Sequence, residues 1–542
     1  MTEVQTSNSI SPKPSLRSVL VDLLSNVPEG SRPARFDEIM EMFGAPEVIS
    51  GILGLGQTRI GDVARAVNGA RCLRVRRKKV ASIGLFVGRL RGGGAERVVS
   101  LLAGILSERG KRIVLFTQEP PHPMDFPVPG GIERIVLPTA ARDWGRRVET
   151  LQRELSRHDI DVYIHNAEKT PLLLYDLLAV KSAGVYFLSY NHGCFAGLFT
   201  ENSICVRPSI DVQRLADMSP VLSRDFEACY RALGVRAVTV ANPLSLEIVD
   251  RPPEKPDDDL ILWVARRNAI KHYLAPVRIL SEVVKRRPKA RVLMVGEPQD
   301  RNCDRAIVRL AKRLGVRARI RLSPYTEDIR PLYRRASVVL VSSVCEASPM
   351  VLLEAMASGV PVVMYDLPYV ESAKGCNAVF QVPFDSSIAA AASIGELLEN
   401  AGKWRGASLA GIARAKTLSE ADVGAMWDKL FADLLEGKDS PAGLAAGSWF
   451  GRELLSLLDA QAAGAAIGES KRREYLETFD ATLVRPAFRQ DRSLVRVLAN
   501  VLDWCAWRVR QLSDFGERRL LRGLGLSQTV REPANSSKGK RP

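Results

Sequence analysis

The sequence predicts an α/β protein with two doubly wound domains that face a cleft. From Val80 onward, short apolar runs alternate with amphipathic stretches, as in "VASIGLFV", "AERVVSLLAGILSERG" and "KRIVLFT". This order is typical of parallel strands joined by helical crossover connections. A proline-rich, charged stretch at residues 243–259 interrupts the series, and a second series follows it. Two α/β units joined by a linker are therefore expected.

Four regions follow from these patterns. Residues 1–79 are predicted to be a helical extension with a disordered Ser- and Pro-rich start, 80–245 a first Rossmann-like domain, 246–435 a second, and 436–542 a basic helical extension. The strands predicted for the first domain are "VASIGLFV", "KRIVLFT", "ERIVLP", "DVYIHN", "VYFLSY" and "AVTVAN". Those predicted for the second are "LILWVAR", "RVLMVGE", "RIRLS", "SVVLVSS" and "PVVMYD".

Composition narrows the class of protein. With 542 residues, 46% of them hydrophobic, the chain can bury two ordinary cores. No apolar run is long enough to cross a bilayer, and the first residues lack the pattern of a secretory signal, so a cytoplasmic protein is expected. The eight cysteines are scattered without a CxxC pair. Reduced thiols are therefore favoured over disulfides or a zinc site.

Half of the net charge of +16 lies near the end of the chain, in residues 481–542. The segment "SLVRVLANVLDWCAWRVRQL", residues 493–512, places apolar residues at helical spacing among arginines and two tryptophans. Such a helix suits an anionic membrane surface, at which the protein would be peripheral, and it suits packing on a neighbouring domain equally well. No nucleic-acid partner is expected, because no recognition motif accompanies the charge.

The stretch "CEASPMVLLEAMASGVPVV", residues 345–363, predicts a phosphate site. It follows the strand "SVVLVSS", and we expect Ser348 to cap a short helix that has proline at its first position and ends at Gly359. The unpaired N–H groups of Met350 and Val351 would then point into the cleft at the carboxyl ends of the strands. A helix amino terminus of this kind suits a diphosphate.

Two glutamates flank this predicted phosphate site. Glu346 lies on the loop before the helix, and Glu354 lies about one and a half turns inside it. Each carboxylate could accept hydrogen bonds from hydroxyl groups beside a diphosphate, those of a sugar on one side and of a ribose on the other. The alternative is that both are surface charges, which the apolar surroundings disfavour.

Two cations and a glycine-rich loop complete the predicted site. Arg266 and Lys271 follow the strand "LILWVA" and could stabilise a departing diphosphate, a task that elsewhere falls to a metal ion. The loop "GRLRGGGAE" allows close backbone approach at Gly93 and Gly94. It is not a GxGxxG motif, so a dinucleotide site is disfavoured, although Glu119 after the next strand leaves a nicotinamide cofactor as an open alternative.

His192 also follows a strand, "VYFLSY", and is expected to face the cleft. The other histidines are interpreted as structural, and no pair has metal-ligand spacing. The run Asp257-Asp258-Asp259 precedes a strand, whereas metal carboxylates should follow one into the cleft. It is interpreted as linker charge, and no metal and no cofactor are expected.

The stretch 345–363 resembles the E-x7-E signature of retaining glycosyltransferases with the two-domain GT-B architecture, family 4 in particular. "WVARRNAIK" is similar to the family's diphosphate-binding "VGRL-x-x-x-K", and "GRLRGGGAERVV" is similar to its glycine-rich loop. "ADMSPVLSRDF" and "VTVANPL" also resemble family elements, so that the likeness spans roughly residues 80–435. The sequence departs from the family's glycines at Ala265, Ala347 and His272.

The resemblance implies a metal-independent, retaining hexosyltransferase that moves a sugar from a nucleoside-diphosphate sugar to a glycan or lipid-linked acceptor in cell-envelope or exopolysaccharide synthesis. It assigns sugar hydroxyls to Glu346, ribose to Glu354, diphosphate to Arg266 and Lys271, and the donor sugar to His192. It also implies front-face attack, with the leaving phosphate taking the acceptor's proton. The alternative is a non-catalytic sugar-nucleotide-binding or membrane-scaffold protein with the same fold.

Overall fold

The computed structural model describes residues 79–437 apart from 140–143, 167–172, 174–175, 178, 181–182, 196–208, 211–212, 214–215, 257–258, 327 and 368. The described residues belong to one compact unit. Both helical extensions lie almost wholly outside them, and so does the basic segment 493–512. The predictions for those segments, the membrane contact included, stay predictions.

The described strands form two parallel sheets and a small strand pair. The first sheet has the order β3-β2-β1-β4-β5, with strands β1 (Ser82–Val87), β2 (Arg112–Thr117), β3 (Glu133–Val136), β4 (Val162–His165) and β5 (Tyr186–Ser189). The second sheet has the order β10-β9-β8-β11-β12-β13, with strands β8 (Leu260–Val264), β9 (Arg291–Val295), β10 (Ile320–Ser323), β11 (Val338–Val341), β12 (Val362–Tyr365) and β13 (Val379–Val382). The parallel pair is β6 (Ser219–Val221) with β7 (Ala237–Thr239).

The helices supply the crossover connections between the parallel strands. Those with defined bounds are α1 (Gly94–Glu108), α2 (Trp144–Arg157), α3 (Arg224–Ala232), α4 (Ala275–Arg286), α5 (Arg301–Arg313), α6 (Arg330–Arg335), α7 (Met350–Ala357), α8 (Ser387–Glu399), α9 (Ala401–Ser419) and α10 (Val423–Glu436). Every residue of β1, β4, β11 and β12 is buried. Strands covered on both faces read as continuous apolar runs, which is why the sequence pattern revealed them.

Both sheets reverse their strand order at one point, and these two points locate the cleft. In the first sheet the reversal falls between β1 and β4, and in the second between β8 and β11. Ligands of doubly wound sheets bind outside the carboxyl ends of the strands at such a switch point. The predicted fold class, two doubly wound domains facing a cleft, is confirmed for the described residues.

Two strands of the structure were not predicted from the sequence. Strand β6 has three residues, one of them Pro220, and β13 is a short edge strand with the partly exposed sequence "VFQV". The prediction of five strands in the second domain was therefore wrong by one, because a short, half-exposed edge strand gives no continuous apolar run.

Helix α10 returns to the first domain. The Trp427 ring lies 5.4 Å from that of Tyr190 between centroids, and Asp428 Oδ2 lies 2.7 Å from Arg109 Nε at the end of α1. Residues assigned by sequence to the second domain thus cover part of the first. The chain crosses between the domains twice, once through the stretch after β7 and once through the turn between α9 and α10.

Candidate functional site

The cleft between the two switch points encloses a cavity of about 430 Å³. Its walls come from the loop between β1 and α1, from the loops after β8, β9, β10 and β11, and from helix α7. The predicted site residues in its lining are Gly93, Gly94, Arg266, Lys271, Glu346, Met350, Val351 and Glu354. The structure therefore brings together side chains from chain segments up to about 260 residues apart.

Arg266 is the first charged residue beyond β8, and it reaches across the cleft. Its Nη2 donates to the Gly92 carbonyl at 3.3 Å and lies 3.7 Å from Glu96 Oε1. The adjacent Arg267 turns the other way, is 3% exposed, and pairs with Asp304 at 2.6 Å. Of two consecutive arginines, one is structural and one is presented to the cleft beside the glycine-rich loop.

Lys271 and Glu346 form an ion pair within the cleft. Lys271 Nζ lies 2.6 Å from Glu346 Oε1, which also accepts a 2.5 Å hydrogen bond from Ser343 Oγ. Asn268 fixes the loop by accepting from the Lys271 backbone N–H at 2.9 Å. The Lys271 side chain remains 30% exposed and the Glu346 side chain 9%. A cation thus stands at the opening of the site with its orientation fixed by a nearly buried carboxylate.

Helix α7 presents its amino terminus to the cleft, but not with the predicted cap. Pro349, with ψ 118°, is the capping residue, and no side chain caps the helix. Ser348 instead offers its carbonyl to Asn242 Nδ2 at 3.1 Å and is absent from the cavity lining. The prediction of Ser348 as N-cap was wrong, because Pro349 has an extended ψ and the helix starts one residue later than the Ser-Pro pattern indicates. Met350 and Val351, whose first-turn N–H groups were predicted to point into the cleft, line the cavity.

Glu354 lies in the cavity wall with partners from both domains. Its Oε1 accepts from Ser245 Oγ at 2.7 Å and lies 3.1 Å from Arg97 Nη1. Its Oε2 accepts from Tyr333 hydroxyl at 2.8 Å, and burial together with the glutamate's charge raises the pKa of that tyrosine well above its usual value. Protein groups therefore occupy one lone pair of Oε2 and both of Oε1, which leaves one lone pair for a ligand hydroxyl.

The glycine-rich loop lies close to Arg266 and Met350 of the second domain. Gly93 caps α1 in an extended conformation, and an added Cβ would lie 2.1 Å from Glu96 Oε2 and 3.2 Å from Arg266 Nη2. A Cβ on Gly94 would lie 3.4 Å from Met350 Cγ across the cleft. A side chain at Gly93 would therefore displace the ends of Glu96 and Arg266, whereas a Cβ on Gly94 would make an ordinary contact with Met350.

His192 stands beyond the cavity lining. It is half-buried, its ring centroid lies 4.0 Å from that of Tyr190, and its Nε2 lies 2.8 Å from Asn166 Oδ1. Burial lowers the pKa of the imidazole to about 3. The Tyr190 hydroxyl donates to Asn242 Oδ1 at 3.5 Å, and through Asn242 this group connects to Ser348 beside the start of α7.

Several residues of the cavity lining were not predicted from the sequence, among them Arg97, Phe126 and Tyr325. Arg97 stacks over the Phe126 ring at 5.8 Å, and Phe126 meets Tyr325 edge-on at 5.9 Å, so an aromatic contact joins the domains next to Glu354. Tyr325 follows β10, a strand-end position that could have been flagged. Arg97 lies inside a helix and Phe126 inside a long loop, where no local pattern distinguished them.

The three positions at which the sequence departs from the family's glycines differ in backbone conformation. His272 adopts φ 51°, in the left-handed region that favours glycine. The positive-φ residues of the described chain do not include Ala265 or Ala347. Of the three departures, only the one at residue 272 therefore forces a side chain into a strained backbone.

Several carboxylates were considered in the sequence as candidates for a metal ion or a dinucleotide. Within the described residues, no group of three His, Cys, Asp or Glu side chains could hold a metal ion. Asp259 is 5% exposed and pairs with Arg287 at 2.9 Å, while Asp257 and Asp258 lie outside the described residues. Glu119, which left a nicotinamide cofactor as an open alternative, pairs with Arg91.

Two further expectations concern thiols and membranes. The five cysteines in the described ranges, Cys194, Cys229, Cys303, Cys345 and Cys376, are free thiols. Among the helices of the described ranges, none combines the length and the apolar character needed to cross a bilayer.

The fold and site define a two-domain GT-B architecture, and comparison with known proteins agrees. Residues 258–400 match the family model described as Glycosyl transferases group 1. Over 200 residues the chain is 30% identical to the D-inositol 3-phosphate glycosyltransferase of Nocardia farcinica, a match that spans 35% of this chain and 44% of that enzyme. The chain thus spans less than half the length of this curated relative.

Solved structures extend the likeness to both domains. Sucrose-phosphate synthase of Thermosynechococcus elongatus superposes with a TM-score of 0.55 at 19% identity, over 66% of this chain and 100% of that one. HepE of Anabaena, solved in complex with UDP and glucose, superposes with a TM-score of 0.53 at 17% identity, over 65% of this chain and 99% of that one. These likenesses establish the fold, and the family match over the second domain supports a group 1 glycosyltransferase.

Proposed function

We propose that this protein is a retaining, metal-independent glycosyltransferase that uses a nucleoside-diphosphate sugar. The observation that carries the proposal is the convergence, in one cavity, of two cations and a helix amino terminus. Arg266 and Lys271 lie on the loop after β8, and together with the first turn of α7 they line the cavity. A ligand with two adjacent phosphates matches this distribution of positive charge.

The proposed chemistry follows from where charge develops. As the bond between sugar and diphosphate breaks, negative charge grows on the leaving oxygens. Arg266 can hold them with its planar fork, and Lys271 acts as a point charge. Glu346, already fixed by Lys271 and Ser343, would accept hydrogen bonds from sugar hydroxyls. Glu354 would accept one from the ribose through Oε2.

The proposed reaction retains the configuration of the anomeric carbon and needs no metal ion. The acceptor hydroxyl would attack the face that the diphosphate leaves, and its proton would pass to a phosphate oxygen. The sugar–phosphate bond breaks, the new glycosidic bond forms, and the nucleoside diphosphate leaves protonated, so no protein nucleophile enters the balance. The cations of the cavity would take the counter-charge role that a metal plays in other transferases.

The acceptor is proposed to be a glycan or a lipid-linked molecule of cell-envelope or exopolysaccharide synthesis, approached from the first domain. A cytoplasmic enzyme, peripheral at the inner face of a membrane through residues 493–512, would meet such an acceptor. Binding of the full-length chain to anionic and neutral lipid vesicles tests this part by itself. Equal binding to both vesicle types would contradict it.

The donor is tested by thermal unfolding without added metal, in the presence of millimolar UDP, GDP, ADP and their common sugar conjugates. UDP comes first because the structurally similar HepE was solved with it. A ligand that binds the folded state at a hundredfold excess over its Kd adds about 2.7 kcal/mol to the free energy of unfolding. A shift with one base identifies the donor class, and no shift with any of them contradicts the proposal.

The second candidate is a non-catalytic protein that binds a sugar nucleotide. The observation that favours it is that protein groups take up most of the hydrogen-bonding capacity of Glu354. Glu346→Ala separates the two functions. Loss of transfer with nucleotide binding retained supports the enzyme, whereas a wild-type protein that binds donor and never releases the nucleoside diphosphate supports the binding protein.

A further inference from the structure

We propose that Asn166 is a positioning residue that holds His192 in the tautomer with its proton on Nε2, so that Nδ1 is left as a hydrogen-bond acceptor for a hydroxyl of the transferred sugar. The inference rests on the proposed function for the identity of the sugar. Its structural content, the tautomer and its cause, can be tested without any activity. Asn166 follows β4 at the switch point of the first sheet.

The orientation of the Asn166 amide is fixed by two backbone carbonyls. Its Nδ2 donates to the Phe86 carbonyl at 3.0 Å and to the Ile164 carbonyl at 3.3 Å. Carbonyl oxygens only accept hydrogen bonds, so the amide nitrogen must face them. The side chain is 7% exposed, and the Asn166 backbone N–H also donates to the Phe86 carbonyl at 3.0 Å. The Oδ1 end therefore has one orientation, toward His192.

The fixed amide then selects the histidine tautomer. Asn166 Oδ1 lies 2.8 Å from His192 Nε2, and because Oδ1 accepts, Nε2 must carry the proton. Burial holds the pKa of His192 at about 3, so the imidazole carries a single proton at neutral pH. Nδ1 is consequently a hydrogen-bond acceptor. Tyr190, whose pKa burial raises, packs on the ring and is uncharged at neutral pH.

A neutral acceptor suits glycosyl transfer. The sugar ring gains positive charge as its bond to the leaving group breaks, in an oxocarbenium-like transition state. An imidazolium nearby would oppose that charge, whereas the Nδ1 lone pair can accept a hydrogen bond from a sugar hydroxyl. Asn166 thus acts through His192 without touching the substrate itself.

The tautomer is read by two-bond 1H–15N correlation spectra of the full-length protein labelled with 15N-histidine, with His192→Gln to identify the signals. We expect the pattern of a neutral ring with the proton on Nε2 at pH 7. A ring protonated on Nδ1, or on both nitrogens, overturns the inference whether or not the protein transfers sugar. An inactive wild type with the expected pattern would overturn the proposed function alone.

Asn166→Asp tests the positioning role. A carboxylate beside Nε2 favours the imidazolium, so we expect the His192 ring to become doubly protonated at a higher pH than in the wild type. Because a carboxylate cannot donate to the Phe86 and Ile164 carbonyls that fix residue 166, we also expect kcat to fall about 100-fold, with KM changed much less. The matched control is Asn302→Asp, which makes the same change on the exposed start of α5 and should alter neither. An Asn166→Asp protein that folds and keeps both the wild-type titration of His192 and kcat contradicts the role.

Discussion

Arg97 of helix α1 and Glu354 of helix α7 join the two domains directly, with 3.1 Å between Nη1 and Oε1. The Arg97 side chain is 21% exposed and that of Glu354 is 6% exposed, so solvent screens the pair only partly. Arg97 Nη2 also donates to the Ser245 carbonyl at 3.4 Å. One arginine therefore connects the first domain, the linker and the predicted ribose site.

We predict that Arg97→Ala loosens the contact between the domains. Ser245 and Tyr333 still hold Glu354, so the loss should be confined to the cross-cleft pair, about 1–3 kcal/mol for a charged hydrogen bond. Small-angle X-ray scattering should report a larger radius of gyration for the variant without ligand. Arg286→Ala removes an exposed arginine paired within one domain and serves as control. A radius unchanged in both variants would show that this pair does not hold the cleft closed.

The ion pair of Lys271 and Glu346 leads to a prediction about catalysis. Lys271→Met should lower kcat about 100- to 1,000-fold, the usual cost of removing one group that stabilises transition-state charge. The 30% exposure of Lys271 should keep the effect on stability small. Steady-state kinetics check this, with Lys285→Met on the exposed face of α4 as the matched lysine control. Equal losses in both variants would remove Lys271 from the mechanism.

His272 gives a prediction that separates strain from contact. His272→Gly and His272→Ala both remove the imidazole, including its 2.8 Å contact with Arg278 Nη2 and its stacking on Phe384. They differ in backbone freedom at φ 51°. The glycine variant should therefore be more stable than the alanine variant by about 1 kcal/mol. Denaturant unfolding measures the difference, and equal midpoints would show that this backbone carries no strain.

The buried pair of Arg147 and Asp176 predicts a pH effect. Burial acts to raise the pKa of Asp176, but the charge and hydrogen bonds of Arg147 outweigh it and lower the pKa to about 2. A carboxyl pKa below its unfolded value stabilises the fold at pH above that unfolded value, near 4, and this stability is lost as pH falls toward 2. The contribution is about 2 kcal/mol. Unfolding free energies measured between pH 6 and pH 2 should show it.

Variants of the same pair give the control for that measurement. Arg147→Met leaves a buried carboxylate without its partner and should cost about 3–5 kcal/mol. The double variant Arg147→Met/Asp176→Leu removes both charges and should recover most of the loss. It should also lack the part of the acid sensitivity that comes from Asp176. A double variant less stable than the single one would mean that Asp176 stabilises the fold even without Arg147, through Tyr163 and His165.

The sequence predicted the parts of this structure that depend on local pattern. Continuous apolar runs located the buried strands, and glycine, proline and charge at strand ends located Arg266, Lys271, Glu346 and the start of α7. Ser348 shows the limit of that approach, because the position of a cap depends on one backbone angle that the Ser-Pro dipeptide does not fix.

Contacts between distant segments were not predictable. Arg97 lies on a regular amphipathic helix, and its partner Glu354 lies 257 positions further along the chain. From the sequence, Asn166 is only the polar end of a predicted strand, whereas in the structure it contacts His192. These partnerships are set by how the domains meet, for which a single sequence contains no local signal.

The double crossing of the chain limits how the cleft can open. A single linker would let one domain swing and twist in any direction, whereas two connections fix two points shared by both domains. Rotation about the line through those points is the motion that stretches neither connection. Opening of the cleft is thus a hinge rotation about this line. A substrate would enter from the edge of the cleft that lies farthest from the two crossings.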